Sequence, residues 1–174
     1  RPGAHAPVNR RPRVLVVSHA DRVWGAETVA LRLAPELAAA GIDVHLACPR
    51  GELAARWTDL GLPVVELNVP PHQGLRSDDG SRAGPAQLAT ASLAVARSTV
   101  RIARLARSVD ADVVHSNTLN AHLEVALAAR ITRTPAVLHV HDLVVPGVGR
   151  KILGIASRAA FATVAISRVV AECV

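Results

Sequence analysis

The chain has 174 residues, which is enough for one domain with its own core and too few for two ordinary domains. Half of its residues are hydrophobic, which excludes a disordered tail, and no uncharged apolar stretch reaches the roughly 18 residues that a membrane span needs. The net charge of +6 permits a nucleic-acid partner, but the absence of Tyr and the low aromatic content leave no stacking set for bases.

Apolar runs typical of buried strands alternate along the whole chain with alanine-rich helical patterns. The predicted elements, in chain order, are a flexible Pro- and Arg-rich leader (1–12), a strand (13–18), a helix (26–41), a strand (43–48), a helix (51–61), a strand (63–69), a loop of turn formers and charges (70–84), a long helix (85–108), a strand (111–116), a helix (120–131), a strand (135–141), a helix (149–160), a strand (162–167) and the start of a last helix (167–174). This alternation predicts an α/β fold: a Rossmann-like, doubly wound parallel sheet of about six strands with helices on both faces.

Single residues mark where several helices begin, bend or end. Gly41 is expected just after the end of the first helix, and Gly61 is expected to stop the second. Pro35 lies inside the first helix and is expected to kink it, because its ring clashes with the preceding turn. Asn120 is expected to cap the helix that starts there.

The segment after the first strand combines His19 with a lone glycine, Gly25, at the start of a helix. In a doubly wound sheet, ligands bind outside the carboxyl ends of the strands. Gly25 would let a phosphate approach the free N–H groups of the helix N-terminus, or it forms a plain tight turn. Neither a dinucleotide fingerprint nor a P-loop is present. Glu27 suits the first turn of a helix on dipole grounds and needs no functional role.

Histidines follow or end three of the strands. The commonest doubly wound order makes the first, fourth and fifth strands neighbours, which would bring His19, His115 and His141 toward one crevice. His139 and His141 are two residues apart and are expected on the same face of their strand. Three imidazoles could hold a metal ion, bind a polyhydroxylated ligand, or be edge histidines with partners of their own. The pattern leaves these three interpretations open.

Four short segments in this order resemble the N-terminal domain of a retaining glycosyltransferase of the GT-B architecture, of the subfamily 4-like type. The segments are WGAE at 24–27, ADVVHSN at 111–117, AVLHVHD at 136–142 and VAISRVVAE at 164–172. The resemblance covers 13–174 and implies a Rossmann-like, acceptor-side domain. The donor-binding C-terminal domain, which would face it across a cleft, is expected to be absent from this chain.

The resemblance also assigns roles to individual residues. His141 matches a histidine that contacts the transferred sugar and is the predicted catalytic residue. The predicted contacts to the donor phosphate or sugar are Trp24, Gly25, Ala26 and Asp142, with Trp24 standing where the family often has a second glycine. The predicted acceptor-binding residues, which combine the resemblance with the converging histidines, are His19, His115, Ser116 and Asn117. Ser167 matches a serine at the start of the last helix, where a capping role is expected.

The implied reaction moves a sugar from a nucleotide-sugar donor to a carbohydrate or lipid-linked acceptor with its anomeric configuration kept. The nucleotide sugar is a substrate, and no metal or other cofactor is expected, because helix N-termini and basic side chains can stabilise the departing diphosphate. This domain alone is not expected to turn over. The alternative is a non-catalytic Rossmann-like module that binds a nucleotide or a sugar.

Arginines recur every three or four residues along the longest predicted helix. Arg97, Arg101, Arg104 and Arg107 therefore share a face, which suits either peripheral contact with an anionic membrane or a solvated outer helix. Two cysteines, Cys48 and Cys173, make no disulfide framework. A cytoplasmic location is therefore expected, with any membrane contact on the inner face. No nucleic-acid partner is expected.

Overall fold

The computed structural model describes residues 10–68 and 84–174, and within them it contains a six-stranded parallel sheet. The strands are Arg13–Val17 (β1), Asp43–Cys48 (β2), Val64–Glu66 (β3), Val113–Ser116 (β4), Ala136–Val140 (β5) and Ala162–Ala165 (β6). Their order is β3-β2-β1-β4-β5-β6, so the direction of winding reverses between β1 and β4. The predicted α/β class is confirmed, as is the predicted adjacency of β1, β4 and β5.

Helices connect the strands, close to where the sequence predicted them. They are Gly25–Ala39 (α1), Glu52–Asp59 (α2), Pro85–Ser108 (α3), Leu119–Thr132 (α4), Val148–Ala159 (α5) and Arg168–Ala171 (α6). Gly41 and Gly61 both have left-handed φ angles, of +83° and +73°, as expected of residues that end helices. Within the described part of the chain, no helix is long and apolar enough to cross a bilayer.

Some local predictions differ from the structure. Asn120 was expected to cap α4, but the cap position is Thr118 and Asn120 lies inside the first turn. Pro35 lies inside α1, as predicted, and the kink expected there stays a prediction. Strand β3 is shorter than predicted because its partner β2 ends at Cys48, which pairs with Glu66. Most of the predicted leader and of the loop at 70–84 lies outside the described residues.

Helices cover both faces of the sheet, as predicted. On one face α1 and α2 pack against Val16 and Leu46, with Trp57 fully buried between them. On the other face α3, α4 and α5 pack against residues that include Leu15 and Leu138. β1 and β4 are the two middle strands of the sheet, and all six strands are parallel, so their carboxyl ends point the same way. The residues that follow β1, β4 and β5 therefore share one edge of the sheet.

Candidate functional site

Most of the buried polar side chains of the described residues lie near this carboxyl edge. The buried polar residues at the ends of β1 and β4, and on the helices that follow them, are Ser18, Glu27, His115, Ser116, Asn117, His122 and Glu124. A polar group taken out of water is costly unless it finds a hydrogen-bond partner. The partners that each of these groups has, or lacks, therefore indicate which ones serve the fold and which ones are available to a ligand.

Glu27 fixes the start of α1. Its Oε2 accepts a hydrogen bond from the Trp24 N–H at 3.2 Å, and its Oε1 lies 3.4 Å from the Ser18 hydroxyl. Thr28 donates to the Trp24 carbonyl from both its N–H and its hydroxyl, at 2.9 and 2.7 Å. The buried Glu27 carboxylate therefore caps the N-terminus of α1, where the helix dipole favours a negative charge. Trp24 is held by its backbone, while its side chain is 68% exposed.

Gly25 has no structural need to be glycine within the described residues. Its φ is not left-handed, and a Cβ added there would meet no atom within 4 Å. Gly51 shows the opposite situation, because a Cβ there would lie 2.3 Å from the Asp21 carbonyl oxygen. That oxygen also accepts from the Leu53 N–H at 3.1 Å, so the start of α2 holds the segment between β1 and α1. Neither turn geometry nor local packing accounts for Gly25.

Asn117 follows β4 and is anchored by its main chain alone. Its N–H donates to the Val17 carbonyl at 3.0 Å, which ties the ends of β4 and β1 together. Its side-chain amide is 1% exposed, and neither the oxygen nor the nitrogen has a hydrogen-bond partner among the described residues. A buried unsatisfied amide costs about 1–3 kcal/mol, so this group is a strong candidate for a ligand contact.

Helix α4 contributes two buried polar residues that the sequence reasoning missed. His122 Nδ1 lies 2.6 Å from the Ser116 hydroxyl, and Glu124 Oε2 lies 2.8 Å from His19 Nε2. Glu124 is fully buried. A histidine and a glutamate within an alanine-rich helix were the available signal, since such residues seldom face a core without a partner.

Three histidines, one on β4, one on β5 and one directly after β5, form a row. The ring centroids of His115 and His139 are 5.5 Å apart, and those of His139 and His141 are 4.1 Å apart, which confirms that His139 and His141 lie on the same face. Burial, together with His139 and His141, lowers the pKa of His115 to about 4. Burial also lowers the pKa of His141, although Asp142 opposes it. These imidazoles are therefore neutral near pH 7.

The edge therefore gathers most of the predicted site residues. His115 and His141 converge through His139, while His19 contacts Glu124 instead. His141 Nε2 has no hydrogen-bond partner among the described residues, and Asp142 is exposed beside it. Among residues 10–68 and 84–174, no group of three or more His, Cys, Asp or Glu side chains is arranged to hold a metal ion.

Residues 24–173 match the model of the glycosyl transferase 4-like domain family. The fold is similar to that of HepE from Anabaena, solved in complex with UDP, with a TM-score of 0.69, 18% identity, and coverage of 92% of this chain and 39% of that one. It is similar to a glycosyltransferase from Rickettsia africae (0.69, 18%, 93% and 38%) and to MurG from Acinetobacter baumannii (0.61, 19%, 89% and 41%). The chain thus spans about two fifths of the length of these structures. No curated protein matches it in sequence.

Proposed function

The chain belongs to the glycosyl transferase 4-like family, and on that premise we propose that it forms the acceptor-binding half of an enzyme that moves a sugar from a nucleotide-sugar donor to an acceptor with retention of configuration. The observation that carries the proposal is the edge shared by three features: an unobstructed Gly25, the unpartnered Asn117 amide and the unpartnered His141 Nε2. HepE, a neighbour in fold, has been crystallised with UDP and with UDP-glucose, which supports a nucleotide sugar as the donor.

The donor diphosphate would lie at the start of α1. Negative charge grows on the departing diphosphate in the transition state, and positioned N–H groups can stabilise it. The Trp24 N–H already donates to Glu27, so the amides of Gly25 and Ala26 are the ones assigned to the phosphate. The missing Cβ of Gly25 allows that close approach. Asp142, exposed next to His141, completes the donor side.

The sugar and the acceptor would lie between β4 and β5. His141 is assigned the contact to the transferred sugar, because a neutral imidazole can both donate and accept a hydrogen bond to a hydroxyl group. Asn117 is assigned to the acceptor, which is a carbohydrate or a lipid-linked saccharide. His19, His115 and Ser116 already contact protein groups, so they are assigned to holding this rim in position.

Gly25→Ala tests the donor assignment without disturbing the fold. In a protein that joins this domain to a donor-binding C-terminal domain, we expect affinity for the nucleotide sugar to fall about tenfold or more, because the added methyl group lies where the phosphate approaches. The unfolding free energy of the domain should change by less than about 0.5 kcal/mol, since the new Cβ meets nothing. Calorimetric titration and thermal melting measure the two quantities.

Gly154→Ala is the matched control. Gly154 lies within α5, and a Cβ there would make an ordinary contact of 3.5 Å with the Arg158 side chain. This variant should keep both affinity and stability. Unchanged affinity for the nucleotide sugar in Gly25→Ala would show that the donor does not bind at the start of α1. A protein that binds the nucleotide sugar but transfers it to no acceptor would favour a non-catalytic binding module.

A further inference from the structure

We propose that the first part of α3 forms a further wall of the acceptor site, where Ser98 and Thr99 bind hydroxyl groups of an uncharged saccharide. Residues 85–99 are called here the α3 wall. The proposal deepens the function proposed above and rests on its acceptor side. It is supported by two buried hydroxyl groups that lack a partner, by their level along the helix, and by the uncharged residues around them.

Ser98 and Thr99 are buried polar residues that use no hydrogen bond within the protein. Ser98 is 1% exposed and Thr99 is 5% exposed, and neither side-chain oxygen has a hydrogen-bond partner among the described residues. They lie four residues before two core residues, Ile102 and Ala103, and therefore face the same inner side of the helix. Burying a hydroxyl group without a partner is costly, so a ligand that supplies the partner would bind favourably there.

The other helical threonines show that this lack of a partner is unusual. Among the described residues, the hydroxyl groups of Thr28, Thr58, Thr90 and Thr132 each donate to the carbonyl oxygen four residues earlier, at 2.7, 2.9, 3.0 and 3.0 Å. Such a local bond is a common way to satisfy a hydroxyl group on a helix. Thr99 does not form it, which leaves its oxygen for a group outside α3.

A contact between α3 and α4 gives the level of the two hydroxyl groups relative to the carboxyl edge. Both helices lead from the carboxyl end of one parallel strand to the amino end of the next, so they run in the same direction. The Arg107 guanidinium donates to the Ile131 carbonyl at 3.2 Å. Nine residues before this contact lie Ser98 on α3 and His122 on α4. Since His122 lies 2.6 Å from the Ser116 hydroxyl, Ser98 is level with the buried polar residues of the candidate site.

The start of α3 projects beyond the carboxyl edge. Helix α4 begins at Leu119, twelve residues before Ile131, and the residue twelve before Arg107 is Val95. Residues 85–94 therefore extend past the start of α4 by about 15 Å. Asn117, whose side-chain amide also lacks a partner among the described residues, lies two residues before α4. The α3 wall thus stands beside the edge to which the acceptor is assigned.

The inner side of the α3 wall carries no charge. Ala91, Ala94 and Val95 are half-buried and continue this side from Ser98 and Thr99 toward the start of the helix, whereas the arginines of α3 are all exposed. The donor phosphate is assigned to the start of α1, which packs on the other face of the sheet. Hydroxyl groups of serine and threonine both donate and accept, as sugar hydroxyl groups do. An uncharged saccharide therefore fits the α3 wall better than a phosphate.

Removing the two hydroxyl groups tests the proposal. In Ser98→Ala/Thr99→Val, apolar groups of similar shape replace hydroxyl groups that lack a partner, so the variant should melt at or above the temperature of the wild type. The probes are the methyl glycosides of glucose, galactose and mannose. The variant should bind them about tenfold or more weakly, because each lost hydrogen bond lowers the affinity roughly fivefold. Titration followed by NMR measures the affinities, and the Thr99 methyl signal of the wild type should shift with at least one glycoside.

Thr90→Val/Ser108→Ala is the matched control, because it makes the same two changes on α3 at exposed positions. This variant should bind the glycosides as the wild type does. A lower melting temperature of Ser98→Ala/Thr99→Val than of the wild type would overturn the proposal, because the hydroxyl groups would then serve the fold. A Thr99 signal that stays in place with all three glycosides in large excess would also overturn it, as would equal losses of affinity in the two variants.

A transfer assay distinguishes a failure of this proposal from a failure of the proposed function. The assay uses a protein that joins this domain to a donor-binding C-terminal domain. Sugar transfer by the wild type, with glycoside binding unchanged in Ser98→Ala/Thr99→Val, would overturn the α3 wall alone. Glycoside binding that the variant loses, without any sugar transfer by the wild type, would overturn the proposed function and retain the α3 wall as a saccharide-binding surface.

Discussion

His141→Ala, made in a protein that joins this domain to a donor-binding C-terminal domain, is expected to lower kcat about 10²- to 10³-fold. This is the loss that follows when one hydrogen bond formed mainly in the transition state is removed. His141 lies directly after β5 at the end of the row of histidines, and its Nε2 has no partner among the described residues, so the ring is available to a sugar hydroxyl. Steady-state kinetics with nucleotide sugar and acceptor measure the effect, and KM should change much less than kcat.

His139→Ala is the matched control for that variant. His139 lies on the same face of β5, one step further from the carboxyl end, and its ring packs between His115 and His141. Its removal should lower kcat by less than about tenfold, because it supports the row without reaching the sugar. Equal losses in the two variants would show that the row serves only the fold. Unchanged kcat in His141→Ala would show that this histidine takes no part in the reaction.

The stability of the domain is expected to fall steeply in mild acid. Burial, with smaller contributions from neighbouring histidines, lowers the pKa of His115 to about 4 and that of His122 to about 3. In the unfolded chain both groups take up protons below about pH 6.5, whereas in the folded protein they stay neutral. Their stabilising effect is therefore complete above pH 6.5 and is lost as the pH falls toward 4. In that interval, each of the two histidines lowers the unfolding free energy by on the order of 1 kcal/mol for every pH unit by which the pH falls.

Urea unfolding at a series of pH values measures this loss, and His122→Gln provides the comparison. Glutamine keeps a polar side chain near the Ser116 hydroxyl, which lies 2.6 Å from the His122 ring, but it does not titrate. The slope of unfolding free energy against pH between about 6 and 4 should become shallower by roughly the share of one histidine. A slope as steep as that of the wild type would mean that His122 is not kept neutral by the fold.

The fold could be predicted because each level of the sequence indicates the same architecture. Apolar runs separated by helical patterns predict parallel strands, and the commonest winding order placed β1, β4 and β5 side by side. Strand ends were less predictable, since a strand stops where its neighbour does. Strand β3 ends at Glu66 because β2 ends at Cys48, and no property of the β3 sequence contains that information.

The candidate site could be predicted in part. Gly25, Asn117 and His141 follow or end predicted strands, where ligands bind in sheets of this kind, and the resemblance to the glycosyltransferase domain assigned them their roles. His122 and Glu124 were missed because they lie on α4, and their partners Ser116 and His19 belong to other segments of the chain. Asn120 was selected as a cap, but in the structure that position belongs to Thr118. Which residue caps a helix depends on where the connection from the preceding strand ends and the helix begins.

The proposal that Asn117 and His141 contact substrates at the same carboxyl edge is tested most directly by following both residues by NMR while ligand is added. In a protein that joins this domain to a donor-binding C-terminal domain, with nitrogen-15 in asparagine and histidine, the signals of the Asn117 side-chain amide and the His141 ring should both shift as nucleotide sugar and acceptor are added. The His45 ring on β2, which pairs with Leu15 away from the groove, should not shift. Signals from Asn117 and His141 that stay in place at saturating concentrations of donor and acceptor would contradict the proposal.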